Sequence, residues 1–264
     1  MTLLIFFISG LIIGSFLNVI IYRLRLVDTI LGRSNCPHCK SQIRWYDNIP
    51  LFSFILLGAK CRDCEGKISW QYPMVEFFTG LIFVMVGRYF FNFLDFYSLW
   101  ETGFYLIIAS LLIVLLVYDW QYMEVPILIF WIMLGVIIAN LVFISFYEIR
   151  MGLDFKSLSI MYSLTGGFMA WLFFFCLVFF SKEKWMGWGD VYVGLIMGLI
   201  LGWPSVLFGL LLAFTIGSIY SVGIILSKKG DMKSEVPFVP FLVIGTFLAI
   251  FITREFPFVL SYII

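Results

Sequence analysis

Seven apolar segments, six of them close to the length of a membrane-spanning helix, dominate the chain. A helix needs about 20 apolar residues to cross the hydrocarbon layer of a bilayer. Of the 264 residues, 62% are hydrophobic and only 12% are charged. A soluble domain of this size does not carry so little charge, so the solvent for most of the chain is lipid. The segments are 3–21, 73–91, 102–118, 125–147, 157–180, 191–226 and 236–252.

The sixth segment is too long for one helix and contains Gly202, Trp203 and Pro204. Because proline interrupts a helix and glycine favours a turn, we expect two helices here, joined by a tight turn. The chain is therefore predicted to be an all-α polytopic membrane protein with about eight transmembrane helices. The expected organisation is a first helix over 1–22, a polar loop over 23–72 and a membrane-embedded domain over 73–264.

Lysine and arginine are unevenly distributed between the two sides of this predicted bundle. If the N-terminus faces outward, all but four of the 17 basic residues lie on the inner side. The four on the outer side are Arg88, Arg150, Lys156 and Arg254. The positive-inside rule then places the 23–72 loop in the cytosol. Since no basic residue precedes the first helix and Arg23 and Arg25 follow it, we expect this helix to be retained and not cleaved as a signal peptide.

Two aspartates lie at the cytosolic ends of predicted helices. Asp119 ends the third helix, and Asp190 begins the sixth, directly after Gly187 and Gly189. When two carboxyl groups are close enough to share a proton, their proton affinities separate. One can then accept a proton from water while the other donates to a carbonyl oxygen, as in aspartic proteases. The glycines leave room for backbone or an extended substrate beside Asp190.

Capping and ion-binding roles for acids in these positions stay open on the residues alone. An aspartate at a helix N-terminus, such as Asp190, is a common cap and suits the helix dipole. Asp119, at a helix C-terminus, is not explained in that way. Glu124 and Glu183 are further acids in the same loops, and Glu76 lies inside the second predicted helix. Acids within membrane spans also occur in ion-transport sites.

Four cysteines in the 23–72 loop form two Cys-x-x-Cys pairs. Cys36 and Cys39 are separated from Cys61 and Cys64 by the 21 residues 40–60. This spacing predicts a tetrahedral zinc site with four thiolate ligands, which would be structural because no position is left open for water. A reducing cytosol argues against disulfides, and a redox pair or plain thiols are the alternatives. His38, between two ligands, is expected to be a bystander.

Several words of the sequence, in order, resemble the type IV prepilin peptidases. They are "GSFLNVIIYRLR", the two cysteine pairs around "DNIP", "ISWQYPMVEFFTG", "YD", "MGWGD" and "VPFVPFL", and they run from Gly14 to about Leu242. The resemblance implies a bifunctional membrane enzyme of the Gly-x-Gly-Asp class of aspartic proteases. Such an enzyme cuts the basic leader from prepilins or pseudopilins after a glycine, at the cytosolic face of the bacterial inner membrane. It then methylates the new N-terminal amine with S-adenosylmethionine.

The resemblance also implies roles for individual residues. Asp119 and Asp190 correspond to the two protease aspartates. The cysteine tetrad that supports the methylating loop corresponds to Cys36, Cys39, Cys61 and Cys64. Glu76 matches the acid of the "YPxVE" word and is a candidate for the methyltransferase site or for binding the substrate amine.

Three residues depart from the family pattern. Tyr192 replaces a usual Lys, Gln71 replaces a common Arg, and Val239 replaces a usual Gly and is expected to stiffen a turn. None of these positions is a protease acid or a cysteine. No Rossmann-type Gly-x-Gly-x-x-Gly unit is present for S-adenosylmethionine, since "GWGDVYVG" follows no predicted strand.

Two alternatives to the bifunctional enzyme follow from the sequence. One is a peptidase without methyltransferase activity, in which the cysteine loop clamps the substrate. The other is a non-enzymatic transporter or membrane scaffold, for which acids deeper in the spans and paired repeats with interrupted helices are expected. The sequence shows neither clearly. The expected partners are prepilins and the lipid bilayer, and nothing indicates nucleic acid.

Overall fold

The computed structural model describes residues 1–26, 32–152, 159–227 and 236–256. Within these ranges the only strand-like pairings are two isolated bridges, Asn35 with Gln42 and Lys60 with Lys67. The all-α fold is therefore confirmed. Four of the basic residues behind the predicted orientation lie outside the described ranges: Lys156, Lys228, Lys229 and Lys233.

Eight helices of 14 residues or more, in the part of the chain that is described, match the eight predicted helices in order. They are α1 (Thr2–Leu26), α3 (Gln71–Phe90), α4 (Phe96–Tyr122), α5 (Ile127–Arg150), α6 (Ser159–Ser181), α7 (Trp188–Leu201), α8 (Ser205–Leu226) and α9 (Val239–Glu255). The polar loop is more structured than expected. It contains a 3-10 turn at Trp45–Asn48 and a short helix α2 (Phe52–Leu56).

Six of the eight long helices are long and apolar enough to cross a membrane, and α7 and α9 are shorter. α7 has 14 residues, which corresponds to about 21 Å at 1.5 Å per residue, less than the roughly 30 Å hydrocarbon layer. It ends at Leu201, and the next residue, Gly202, leaves the helical region with a φ of +68°. The next N–H, of Trp203, donates to the carbonyl of Tyr162 in α6 at 2.8 Å. This turn separates α7 from α8 as predicted.

The chain falls into two compact units, Met1–Val114 and Leu115–Ile264. In the first unit, α1 packs along α3 through small residues that bring the two backbones together. A Cβ atom at Gly10 would lie 2.7 Å from the Cα of Gly80, and one at Gly14 would lie 2.7 Å from the Cα of Glu76. The family word around Gly14 is therefore also a helix-packing motif.

In the second unit, α6 packs on α7 and α8 packs on α9 through the same kind of contact. A Cβ atom at Gly198 would lie 2.4 Å from the carbonyl oxygen of Gly166. One at Gly245 would lie 2.6 Å from the carbonyl oxygen of Gly209. α7 thus lies against α6, and α5, α8 and α9 also contact it. This packing fixes the first turn of α7, where Asp190 lies.

Candidate active site and metal centre

Asp119 lies in the last turn of α4 and is only 5% exposed. The backbone N–H of Val239, the first residue of α9, is directed at its carboxyl group. The first N–H groups of a helix have no partner within that helix, so α9 can supply this donor. The positive end of the α9 dipole therefore faces the carboxyl, which explains how an acid is tolerated at the C-terminus of α4. Among the described residues, its Oδ2 atom is buried and has no hydrogen-bond partner.

Asp190 is the third residue of α7 and is 9% exposed. The N–H of Gly187, the residue that caps α7, is directed at its carboxyl group. This is the reciprocal arrangement of a capping box, in which the third residue satisfies the N–H of the capping residue. The capping role of Asp190 therefore has a structural basis. It does not exclude chemistry, because a carboxylate can accept further hydrogen bonds.

The two aspartates belong to the same unit and interact. The charge of Asp190 acts on the carboxyl of Asp119 through space. The segment that follows Asp119 contacts the segment that precedes Asp190, because a Cβ atom at Gly189 would lie 2.7 Å from Cγ2 of Val125. Val125 lies in the short segment after α4, so the start of α7 and this segment pack together. Asp119 and Asp190 are therefore two buried acids that interact at this junction.

Aromatic contacts hold the elements around these acids in place. The ring of Trp120, next to Asp119, lies 5.5 Å from Tyr220 of α8, and Tyr220 lies 5.4 Å from Phe241 of α9. The ring of Tyr192 lies 5.0 Å from that of Phe130 of α5. Distances of this size are typical of favourable aromatic pairs. The ends of α4, α8 and α9 are therefore joined beside Asp119, and Tyr192 joins α7 to α5.

Two sequence expectations for this region are corrected by the structure. The space beside Gly189 is filled by Val125, so it is not an opening for substrate, whereas no atom within 4 Å obstructs Gly187 apart from the neighbouring backbone. Val239 does not stiffen a turn, because it is the first residue of α9. Sequence reasoning missed the N–H of Val239 as a partner of Asp119. The only sequence feature that could have indicated this contact is the segment "VPFVPFL", which lies at the start of α9.

The contact at Gly189 leads to a testable result. We expect Gly189→Ala to cost about 1–3 kcal/mol and to lower activity, because its Cβ atom overlaps Val125. Gly135→Ala, inside α5, is the matched control, since its Cβ atom meets open space. The double variant Gly189→Ala/Val125→Ala should recover most of the loss. Thermal unfolding and initial cleavage rates measure both effects, and a Gly189→Ala protein as stable as the Gly135→Ala protein would contradict the contact.

The four cysteines of the loop are gathered at one point in the first unit. Their sulfur atoms lie within 4.8 Å of one another, and those of Cys36 and Cys64 are 3.9 Å apart. A zinc ion bound at about 2.3 Å to four sulfurs in a tetrahedron holds them about 3.8 Å apart. The donor set therefore fits a structural zinc ion. Its ligands would be Cys36, Cys39, Cys61 and Cys64.

The two cysteine pairs have the same backbone geometry. The N–H of Cys36 donates to the carbonyl of Ser41, and the N–H of Cys61 donates to that of Gly66, five residues on in both cases. Lys40 and Glu65, each four residues after the first cysteine of its pair, have positive φ angles of 61° and 56°. Each pair is thus a tight knuckle that turns its two thiols to one side, as metal binding requires.

The surroundings of the thiols act in opposite directions on their ionisation. Hydrogen bonds from the side chain and backbone of Ser41 lower the pKa of Cys39 to about 6. The backbone N–H groups of Cys64 and Asp63 lower the pKa of Cys61. At Cys64 the N–H of Gly66 acts in the same direction, but desolvation and the neighbouring thiols raise the pKa to about 12. Four such groups ionise together only when a cation compensates their charge.

His38 and the "DNIP" word support the knuckles without adding a ligand. A Cβ atom at Gly66 would lie 3.0 Å from the ring of His38, so the histidine packs across the opposite knuckle, as a bystander would. Asp47 accepts a bidentate hydrogen bond from Arg62, with Nη2 to Oδ1 at 2.6 Å and Nε to Oδ2 at 2.9 Å. This bond to Arg62 lowers the pKa of Asp47. It ties the turn at Trp45–Asn48 to the second knuckle.

Glu76 is buried in α3 and holds the loop against the helices of the first unit. Its Oε2 atom accepts a hydrogen bond from the N–H of Leu51 at 2.8 Å, and the hydroxyl of Ser15 in α1 is a second partner. Leu51 has a positive φ of 59°, a strained conformation for a leucine. Gln71, which replaces the common Arg, is 3.5 Å from Oδ1 of Asn18 through Nε2. The sequence motifs around Gly14 and Glu76 thus contribute side chains to one cluster of hydrogen bonds.

Comparison with known proteins identifies the family. The model of the "Bacterial Peptidase A24 N-terminal domain" matches residues 8–90, and that of the "Type IV leader peptidase family" matches residues 106–222. A type 4 prepilin-like proteins leader peptide-processing enzyme of Escherichia coli O78:H11 is 30% identical, over 94% of this chain and 93% of that protein. The chain belongs to the type IV leader peptidase family.

Two further members of the family have similar coverage. A prepilin leader peptidase/N-methyltransferase of Aeromonas hydrophila is 28% identical, over 92% of this chain and 88% of that protein. One of Pseudomonas aeruginosa is 27% identical, over 91% and 87%. No solved structure matches the chain. As a leader peptidase family member with six helices that can span a membrane, this is a multi-pass membrane enzyme.

Proposed function

We propose that this protein removes the leader peptide from type IV prepilins or pseudopilins and then methylates the new N-terminal amine. The observation that carries the proposal is the pair of buried, interacting acids Asp119 and Asp190, in a chain of the leader peptidase family. A prepilin is an apolar helix preceded by a short basic leader, which the positive-inside rule keeps in the cytosol. Cleavage therefore has to occur at the cytosolic boundary of the membrane.

In the proposed reaction, the two aspartates hold one proton between them. The ionised carboxylate takes a proton from a water molecule, which attacks the scissile carbonyl carbon. The protonated acid donates its proton to the carbonyl oxygen, and collapse of the tetrahedral intermediate expels the amine of the new N-terminus. The apparent proton affinities belong to the pair, so neither titrates independently.

The surroundings of the acids support a division of roles. Both carboxyl groups face the start of a helix and a backbone N–H, Asp190 in α7 and Asp119 at α9, so the helix dipoles favour a negative charge at each. The difference is that Asp190, unlike Asp119, is not among the described residues with a buried carboxyl oxygen that lacks a partner. We assign it the initial role of base. Asp119 has a buried Oδ2 without a hydrogen-bond partner in the described structure, and a protonated oxygen there could donate to the substrate carbonyl. We assign it the initial role of acid.

The proposed topology has the N-terminus outside and both acids at the cytosolic face of the bacterial inner membrane. Support comes from the arginines Arg23 and Arg25 in the last turn of α1 and from the basic residues of the cysteine loop. Asp119 ends α4 and Asp190 begins α7, so the two intervening helices, α5 and α6, return the chain to the same side. Both acids then lie at one membrane depth.

Methylation is proposed for the part of the chain that carries the cysteine loop. A zinc ion on the four thiolates would fix both knuckles and leave no open position for catalysis. S-adenosylmethionine supplies an activated methyl group, which the new N-terminal amine accepts. Support comes from the two relatives whose names include N-methyltransferase. Within the first unit, Glu76 and Arg62 tie this loop to α3 and to the second knuckle.

One assay tests the proposal and its alternatives. Purified protein in lipid nanodiscs is mixed with a prepilin and S-adenosylmethionine. Intact-mass spectrometry then follows loss of the leader and a gain of about 14 Da, the mass that one methylation adds. Loss of the leader together with the mass gain supports the bifunctional enzyme. Loss of the leader alone identifies a peptidase without methyltransferase activity. Neither change, with a folded protein, would contradict the proposal and favour a transporter or scaffold.

Two substitutions can separate the effect of the negative charge of Glu76 from the effect of its hydrogen bond to Leu51. Glu76→Gln keeps an oxygen that can accept the N–H of Leu51, whereas Glu76→Ala leaves that N–H without a partner. We expect Glu76→Ala to speed amide exchange at Leu51 by about tenfold or more, since a buried hydrogen bond is worth about 1–3 kcal/mol when one partner is removed. Glu76→Gln should keep most of the protection.

Methylation by the two Glu76 variants then distinguishes charge from position. If the charge of Glu76 binds the substrate amine, Gln and Ala lose methylation equally. If Glu76 acts by holding Leu51, Gln retains methylation in proportion to the amide protection. Hydrogen exchange measured with mass spectrometry provides the structural readout. Equal exchange in all three proteins would contradict the contact between Glu76 and Leu51.

A further inference from the structure

The short helix α2 leaves a group of apolar side chains uncovered in the first unit. Phe52, Ile55 and Leu56 are 57%, 75% and 68% exposed. They are spaced i, i+3 and i+4, which places them on one side of the helix. Trp70, whose ring lies 5.0 Å from that of Phe54, is 70% exposed. We refer to Phe52, Ile55, Leu56 and Trp70 as the α2 apolar patch.

Two features fix α2 beside the membrane-spanning helix α3. The N–H of Leu51, the residue before α2, donates to Oε2 of Glu76 at 2.8 Å. Glu76 is the sixth residue of α3, so it lies about 7.5 Å along the helix from its start at 1.5 Å per residue. Trp70 immediately precedes α3 in the chain. The start of α2 therefore lies beside the first two turns of α3, a helix long and apolar enough to span the bilayer.

A bilayer offers a matching environment at this depth. Tryptophan is enriched at the boundary between headgroups and acyl chains. Short apolar faces on helices parallel to the membrane enter that boundary by about 5–10 Å. We propose that the α2 apolar patch is embedded in the interfacial region of the lipid bilayer, so that the cysteine loop is docked on the membrane through α2.

Apolar burial, and not charge, holds this docking. Over residues 23–72 the chain has eight Lys or Arg and four Asp or Glu. A zinc ion on four thiolates would add two negative charges and leave the loop with a net charge of only about +2. Attraction to anionic headgroups is then weak, and the docking should change little with salt. This separates the α2 apolar patch from a polybasic membrane-binding segment.

Site-specific photocrosslinking tests the docking in the full-length protein. The protein is reconstituted in nanodiscs of phosphatidylethanolamine and phosphatidylglycerol, with p-benzoylphenylalanine replacing Ile55. A second sample carries the probe in place of Asp63, an exposed polar residue of the second knuckle. We expect lipid adducts at position 55 in at least about tenfold excess over position 63, because only the former lies in the interfacial region. The excess should persist in high salt.

A probe at position 55 that couples mainly to protein would overturn the docking. The second molecule could be another copy of this chain or added prepilin. A probe that gives no more lipid adduct than position 63 would overturn it as well. Neither readout uses cleavage or methylation, so the result does not depend on the proposed function.

A second measurement uses the patch itself. With the probe at Leu56, the variant Phe52→Asp/Ile55→Asp should lower the lipid adduct to the level of the Asp63 position. The absorption spectrum of the cobalt-substituted thiolate cluster reports whether the loop remains folded. An unchanged adduct yield with an intact spectrum would contradict the proposal. If the double variant no longer shows the cobalt spectrum, its loop is unfolded. The comparison of probes at positions 55 and 63 then tests the docking, because it does not require the double variant.

Discussion

Asp119→Asn and Asp190→Asn are each expected to lower the rate of leader cleavage by about three orders of magnitude or more. Asparagine keeps the size of the side chain but can neither take a proton from water nor donate one as a carboxylic acid does. Because the two acids act as a unit, the double variant should lose little more than either single variant. Intact-mass spectrometry of prepilin at early times measures the rate. Bound zinc should stay at the level of the parent protein.

The controls are acids in the same loops. Glu124 and Glu183 are both exposed, and Glu183 already accepts a hydrogen bond from the indole of Trp188 at 2.8 Å. Glu124→Gln and Glu183→Gln should cleave within a few-fold of the parent, since exposed carboxylates contribute little to a buried reaction. Cleavage by Asp119→Asn or Asp190→Asn at near the parent rate would end the assignment of the pair.

Cys36→Ser and Cys64→Ser form the second prediction with a large effect. Serine is a poor zinc ligand, so each change should remove most of the bound metal. The loop then loses a large part of its folding free energy, because metal binding contributes to folding. In zinc-finger peptides the apparent binding free energy of zinc is about 10–16 kcal/mol. We expect methylation to fall by at least about tenfold, as changes to residues that only support metal ligands already cost roughly 10–100-fold. Cleavage should fall less, because the acids lie in the other unit.

Cys176 supplies the matched control. It lies in α6, outside the cluster of four, and Cys176→Ser should bind zinc and methylate as the parent does. Metal content by elemental analysis and methyl addition by intact mass give the two readouts. Equal loss of cleavage and methylation in the Cys36→Ser and Cys64→Ser proteins would show that the cluster supports folding of the whole enzyme and not methylation alone.

Much of this architecture could be predicted because a lipid bilayer restricts the structures that an apolar segment can adopt. An apolar run of about 20 residues has few alternatives to a helix, so the order of the eight helices followed from hydropathy. The break at Gly202 followed from its composition. The four cysteines were equally readable, because thiolate spacing reflects the geometry of the metal. Sulfur atoms within 4.8 Å of one another are what that spacing predicts.

The contacts that refine the candidate site could not be predicted in this way. The approach of Val239 to Asp119, and of Val125 to Gly189, depends on how helices distant in sequence pack together. A run of apolar residues without a strong period does not specify which face meets which neighbour. The same reason hid the contact between Leu51 and Glu76. Sequence indicated that both acids lie near one end of the bundle, and tertiary packing supplied their partners.

The length of α7 has a consequence for the water that hydrolysis needs. A helix of 14 residues is about 9 Å shorter than the hydrocarbon layer. Eight of its residues, Asp190 among them, are buried, because α5, α6, α8 and α9 pack on it, so acyl chains do not adjust to its length. Water then reaches Asp190 between the side chains of those helices, and we expect turnover to change little when the acyl chains of the bilayer are lengthened.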